Sequence, residues 1–268
     1  MHAYTASYRF VSMKPFLSVV IPAYNETTNI RAGSLKSVAE YLSRQPYPYE
    51  IIIVDDGSAD DTAVLADAFA AQRPEVRVIH NPHRGKAYTV ATGLRQSVGE
   101  IVLFTDMDQA TPIGETAKLL PFFEQGFDVV IGSRGTYRRN APRWRKAMSR
   151  SQIVLRNVIL GFRDITDTQC GFKAFRGKAV EPILDRLALY NQSQATTVQG
   201  ATVTAGFDVE LLFVAQKLGY RVKEVPVDWD YRFSRRVNLL RDSMRGVQEL
   251  IAIRLADLRG AYRTRTLP

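Results

Sequence analysis

The chain has 268 residues, 46% hydrophobic and 24% charged, with a formal net charge of +9. This balance excludes a disordered chain, a collagen-like repeat and a small disulfide-stapled domain, and the lone Cys170 excludes an internal disulfide or a multi-cysteine zinc site. The longest apolar runs, such as Ile51 to Val54, fall far short of the ~18 residues that a membrane-crossing helix needs.

Residues 16–22 read as a short buried strand ended by proline, and 26–44 as one helix with Val38, Tyr41 and Leu42 on its apolar side. A second buried strand covers 50–54. Asp60 or Asp61 caps a helix reaching about Gln72. Strands at 76–80 and 100–105 enclose a helix from Lys86 to Ser97. A helix follows Pro112, and 127–131 is a fifth strand. Several of these strands lack polar alternation, which predicts a mostly parallel α/β sheet with helices on both faces and ligands at its carboxyl edge. Beyond residue 132 the alternation fades. A basic helix is expected near 145–160, strands at 171–175 and 221–225, a helix at 207–218 stopped by Gly219, and an amphipathic helix at 236–259. The division expected is a catalytic domain over 15–232 and a basic C-terminal helical segment over 233–268.

Charge is distributed unevenly. From Arg134 to Arg163 there are nine basic residues and no acidic one, and from Arg232 to Arg265 nine arginines against Asp242, Glu249 and Asp257. The rest of the chain is therefore acidic on balance. Two basic segments on such a body imply an anionic partner, although a solvated basic face uses the same residues. The N-terminal stretch Met1 to Met13 does not read as a secretory signal. With the single cysteine it suggests a reducing, cytoplasmic setting.

The candidate chemistry lies at predicted strand ends. Asp106-Met107-Asp108 puts two carboxylates one residue apart, suited to Mg²⁺ or Mn²⁺ bridging to a substrate phosphate; a helix cap or turn would also account for them. Asp55 and Asp56 follow the second strand, where a carboxylate can accept a hydrogen bond from a base or a ribose, or cap the next helix. Arg84-Gly85-Lys86 opens a helix, a setting that favours phosphate but also occurs as a surface turn. The glycine-rich nucleotide loops and the nucleophile elbow of Ser-His-Asp hydrolases are absent.

In order, these motifs resemble glycosyltransferase family 2, of GT-A fold. Val19-Val20-Ile21-Pro22-Ala23-Tyr24-Asn25-Glu26 is similar to the family's V-I-P-x-Y-N-E, and Val54-Asp55-Asp56-Gly57-Ser58 to its V-D-D-G-S. Arg84-Gly85-Lys86, the D-x-D at 106–108 and Gly132-Ser133-Arg134 follow, with Ala87 where a second glycine is usual. Asp167-Thr168-Gln169-Cys170-Gly171-Phe172-Lys173, Phe207-Asp208-Val209-Glu210 and Ser234-Arg235-Arg236-Val237 resemble the polyprenyl-phosphate subgroup, the dolichyl-phosphate β-glucosyltransferases nearest. The resemblance implies an inverting, metal-dependent transfer from a nucleotide-diphosphate sugar, UDP-glucose favoured and GDP-mannose an alternative, to a polyprenyl or dolichyl phosphate. It implies a donor site of Pro22, Tyr24, Glu26, Asp55, Asp56, Lys86, Asp106, Met107 and Gln109. Asp108 with Asp106 would hold Mg²⁺ or Mn²⁺. Arg134, Arg138, Arg139 and Lys173 would face the acceptor, and Asp167 would act as a base or orient the acceptor.

Arginines near the acceptor would offset the repulsion between two anions. The basic helices would rest peripherally on an anionic membrane surface at its cytoplasmic face, or the C-terminal one would pack on its own domain or in a homo-oligomer. A hydroxyl acceptor, a nucleotidyltransferase and a non-enzymatic basic module binding membrane or RNA are the rival readings. The acids at successive strand ends argue against the last and leave nucleic acid without a role.

Overall fold

The computed structural model describes residues 14–135, 153–162, 164–190, 205–230 and 239–263. Seven strands are β1 (Leu17–Ala23), β2 (Tyr49–Asp55), β3 (Val76–His80), β4 (Ile101–Thr105), β5 (Val129–Ser133), β6 (Phe172–Arg176) and β7 (Val222–Pro226). They form one sheet in the order β3-β2-β1-β4-β6-β5-β7. All pairings are parallel except those of β6, which runs antiparallel to both β4 and β5.

Both faces of this sheet are covered, so its central strands are apolar at successive positions. Val20, Ile52, Val54, Val102 and Phe104 point to one side, where they meet α4 (Lys86–Gln96), α7 (Gly177–Leu184) and α8 (Ala205–Lys217). Val19, Ile21, Ile51, Ile53 and Leu103 point to the other, against α2 (Ser34–Leu42) and α5 (Thr116–Glu124). Each fully buried aliphatic side chain contributes about 1.5–3 kcal/mol.

The expected strands are present, with ends shifted by one or two residues. The helix expected at 26–44 is instead two, α1 (Thr27–Arg31) and α2, separated at Gly33, whose φ of 92° lies in the left-handed region and breaks the helical path. α3 is Thr62–Ala70. Asp60, rather than Asp61, accepts a hydrogen bond from the Thr62 N–H at its start (3.0 Å). A 3₁₀ turn (Ile113–Glu115) precedes α5. Helix α7 was not foreseen; Pro182 in its interior reads as a breaker, yet Ala179, Val180, Ile183 and Leu184 bury a helical face around it.

The basic helix expected near 145–160 is helical over 153–160 (α6), and its earlier part lies outside the described residues. So do Arg138, Arg139 and 234–237. The C-terminal helix α9 (Leu239–Leu258) buries Leu250 and Ile253 in the core beside α8. Met244, Ile251, Leu255 and Leu258 are exposed along it. Among the described residues no helix is long and apolar enough to cross a membrane.

Candidate active site

The carboxyl ends of β1, β2, β4 and β5 lie at one edge of the sheet, where β6 begins. Pairing of β1 with β4 stops at Val20 and Phe104, while pairing of β1 with β2 continues to Ala23 and Asp55. A crevice therefore opens between β1 and β4, where the strand order reverses direction. Ligands bind at this position in open α/β sheets.

On one side of the crevice, Pro22 lies near the end of β1 and Tyr24 just past it. Asn25 adopts a left-handed φ of 54°. Its N–H donates to Ser58 Oγ (3.0 Å), and its Oδ1 accepts from the Ala59 N–H (2.9 Å). The turn after β1 is thereby bound to the turn after β2. The Glu26 N–H donates to Thr62 Oγ1, and its carboxylate accepts from Asn29. Asp55, buried, accepts two long bonds from the Ser58 N–H (3.3 and 3.4 Å), and His80 Nδ1 stands 3.7 Å from its Oδ2.

Asp56 departs from the expected nucleoside contact. It is 2% exposed, and its oxygens accept from the Arg84 N–H (3.0 Å), the Gly85 N–H (2.8 Å) and His83 Nδ1 (2.8 Å). The loop entering α4 thus hangs on this carboxylate, and its lone pairs face protein. His83 in turn stacks on Tyr24, ring centroids 4.0 Å apart and planes 5° apart.

The acid loop forms the other side. Lys86 Nζ donates to Asp106 Oδ1 at 2.5 Å. Burial works against the charged lysine, but Asp106, Asp208 and Asp108 outweigh it and raise its pKa above the ordinary value. Asp108 Oδ1 accepts from the Ala110 N–H (3.0 Å). Gln109, at a left-handed φ of 50°, donates from Nε2 to the Asp106 carbonyl (2.9 Å) and fixes the turn from within. Met107 points away from the crevice: its side chain is buried in the core against Ser34, so only its backbone can meet a ligand.

Arg134, just past β5, is held by Asp167. Its Nε and Nη2 donate to the two carboxylate oxygens at 2.8 Å each, and its backbone N–H adds a third bond at 3.0 Å. Burial would raise the Asp167 pKa, but the bonds and charge of Arg134 override it and hold it down at about 2. A carboxylate that acidic is a poor proton acceptor at neutral pH. Its three hydrogen bonds hold Arg134 in one orientation. The guanidinium also lies 5.6 Å from the Trp229 ring centre.

Lys173 requires a correction. It is 0% exposed, and its ammonium donates to the Cys170 carbonyl (2.5 Å) and to Asp208 (2.6 Å). It is fully buried and paired with Asp208, so its ammonium is not on the surface where an acceptor was expected. Asp208, not assigned a role from the sequence, stands in the first turn of α8 and acts electrostatically on both Lys86 and Arg134. Its only sequence signal was membership of the Phe207–Glu210 motif.

One short loop joins the two halves. Asp167 grips Arg134, and four residues later Gly171 lies against Asp106 so closely that a Cβ there would meet Oδ2 at 2.0 Å. The arrangement can hold a charged ligand in the crevice and a second anion beside Arg134.

A family model described as glycosyl transferase family 2 matches residues 18–184. The dolichyl-phosphate β-glucosyltransferase of Saccharomyces cerevisiae is 31% identical to this chain over 271 residues, covering 92% of the chain and 77% of that protein. Two solved structures share the fold. A mannosyltransferase from Pyrobaculum calidifontis, in complex with GDP-Man and Mn²⁺, aligns with TM-score 0.55 at 19% identity over 96% of this chain and 78% of its own. Glucosyl-3-phosphoglycerate synthase from Mycobacterium tuberculosis, with Mn²⁺, UDP and glucosyl-3-phosphoglycerate, aligns with TM-score 0.57 at 20% identity over 92% and 80%.

Proposed function

The chain belongs to glycosyl transferase family 2, and on that premise we propose that it moves glucose from UDP-glucose to a polyprenyl or dolichyl phosphate, with inversion. The observation that carries this reading is the single loop from Asp167 to Gly171. It ties a crevice suited to a nucleotide to an arginine suited to a second anion.

On the donor side, Asp55 accepts a hydrogen bond from the base, beside Pro22 and the Tyr24–His83 stack. Glu26 borders the same crevice. Asp106 meets ribose or sugar, and Lys86 lies next to the diphosphate. Among the described residues no three His, Cys, Asp or Glu side chains converge to cage a metal. Two carboxylates one residue apart suit a hard cation that completes its shell with diphosphate and water. Asp108 is the main ligand in this assignment, because Asp106 shares its charge with Lys86. When bound, Mg²⁺ or Mn²⁺ supplies Lewis-acid stabilisation of the departing nucleoside diphosphate.

On the acceptor side, a phosphate monoester has a second pKa near ~6 and is largely ionised at neutral pH. It needs positioning more than deprotonation. Arg134, kept rigid by Asp167, supplies a cation at a fixed place and offsets the repulsion between donor and acceptor. The acidic pKa of Asp167 agrees with this division of labour.

The exposed apolar side chains of α6 (Val154, Leu155, Val158) and α9 (Met244, Ile251, Leu255, Leu258) suit a peripheral seat on an anionic membrane, at its cytoplasmic face. Binding to anionic liposomes should weaken as salt rises; absence of binding at every salt concentration would remove this part.

The reaction is tested by presenting UDP-glucose and GDP-mannose to the full chain with a polyprenyl phosphate and Mg²⁺ or Mn²⁺, and identifying the product. Asp108→Ala should remain folded and lose metal-dependent turnover. Full activity in that variant, or glucose found only on hydroxyl acceptors, would overturn the assignment.

A further inference from the structure

We propose that Arg156, on α6, is a positioning residue for the acceptor site, acting through Asp167 on Arg134. This rests on the acceptor reading given above. Arg156 is 6% exposed, and it turns inward from a helix whose Val154, Leu155 and Val158 face outward. Its Nη1 donates to Thr168 Oγ1 (2.9 Å), and its Nη2 to the carbonyls of Ile165 (2.8 Å) and Thr166 (3.4 Å). These acceptors bracket Asp167 in sequence.

A second grip comes from the opposite element. Glu224, on β7, accepts from the N–H and hydroxyl of Thr166 and from the Asp167 N–H (3.2 Å). The segment 165–168 has no helical or strand ladder of its own, and Arg156 and Glu224 supply hydrogen bonds to its backbone from two sides. Between the grips, Asp167 projects its carboxylate onto Arg134.

The choice of arginine has a physical reason. Its hydrogen-bond acceptors in this structure are neutral oxygens, of Thr168, Ile165, Thr166 and Asn157. Burying this cation is costly for folding, and burial lowers its pKa, although the nearby charges of Asp167 and Glu224 oppose that shift. In return, one planar fork reaches three acceptors spread along a turn, which a point-like ammonium cannot do. Loosening that fork frees the loop, and the loop sets the direction of the Arg134 guanidinium.

The test uses the full chain with UDP-glucose, Mn²⁺ and a short polyprenyl phosphate. Arg156→Met should raise KM for the polyprenyl phosphate by about tenfold or more and leave KM for UDP-glucose within about twofold. Arg156→Lys should recover part of the loss. Thr168→Val, which removes one acceptor and keeps the arginine, should shift the same constant in the same direction and serves if Arg156→Met does not fold. Arg134→Lys should also raise the acceptor KM, and adding Arg156→Met to it should cost no more than about twofold further, because both act on one contact. Equal effects on donor and acceptor, an unchanged acceptor KM in the Arg156 and Thr168 variants, or multiplying effects in the double variant would overturn the proposal. An unchanged acceptor KM in Arg134→Lys would instead overturn the acceptor reading.

Discussion

Replacing Gly171 by alanine puts one methyl group into the tightest place in the site. Its Cβ would stand 2.0 Å from Asp106 Oδ2 and 2.5 Å from its Cγ. Ordinary contact begins at 3.4 Å, so the oxygen must retreat by 3.4 less 2.0, or 1.4 Å. Gly171 is not among the glycines with positive φ, so alanine meets no backbone penalty and the effect is steric. The retreat pulls Asp106 from Lys86, which it meets at 2.5 Å. Misplacement on the scale of 1 Å costs on the order of 10²-fold in rate, or about 2.7 kcal/mol of barrier, and the overpacking costs about 1–3 kcal/mol of stability. The assay is kcat/KM for UDP-glucose at saturating Mn²⁺, with circular dichroism and thermal unfolding to confirm the fold. A folded Gly171→Ala protein within about twofold of the parent would refute the reasoning, since such a change is far below the expected loss.

A contrasting glycine lies in α9, where a Cβ at Gly246 meets nothing within 4 Å. Gly246→Ala should raise stability by up to ~1 kcal/mol, read as a higher urea midpoint; a lower midpoint would contradict the helix geometry. Asp167 has a folded pKa of about 2 against an ordinary 3.8. A depressed carboxyl stabilises the fold above its unfolded pKa and loses that contribution as pH falls through the folded one. Between about pH 4 and pH 2 the parent should therefore lose about 2 kcal/mol more than Asp167→Asn, and parallel losses in urea titrations would count against the Arg134 clamp. Burial pushes the Cys170 thiol up to about 11. A thiol reagent at pH 8 should leave the native protein untouched and titrate one group in denaturant; rapid native labelling would show that the Cys170 turn opens.

Much of the donor half was legible because its signals are local. Asp55, Lys86 and Asp106 each follow or begin an element whose apolar run or helix start is visible in a window of about ten residues. The orientation of side chains was not. Met107 sits between two site acids in sequence but turns into the core, because alternate residues at a strand end face opposite ways. Lys173 sits in an acceptor-like motif but points beneath the sheet to Asp208, a residue of a distant helix. Asp56 differs from Asp55 by one position, yet only Asp56 faces the loop before α4. These distinctions arise from contacts between remote segments, and so does the pairing of Arg156 with Glu224 across residues 165–168.

The reversed strand β6 has a consequence for how the molecule comes together. Strands β1, β2 and β3 are neighbours in the sheet and close in the chain, so the nucleotide side can form from short crossovers as it leaves the ribosome. β4 must wait: its second partner begins at Phe172, and that strand inserts between β4 and a β5 already synthesised. The backbone against Asp106 and the loop carrying Asp167 come with this insertion, whose closure costs entropy that grows with the length of chain between β4 and β6. A chain ending before Phe172 therefore carries Asp55, Lys86 and Asp106 on the donor side without the strand that follows the Asp167 loop.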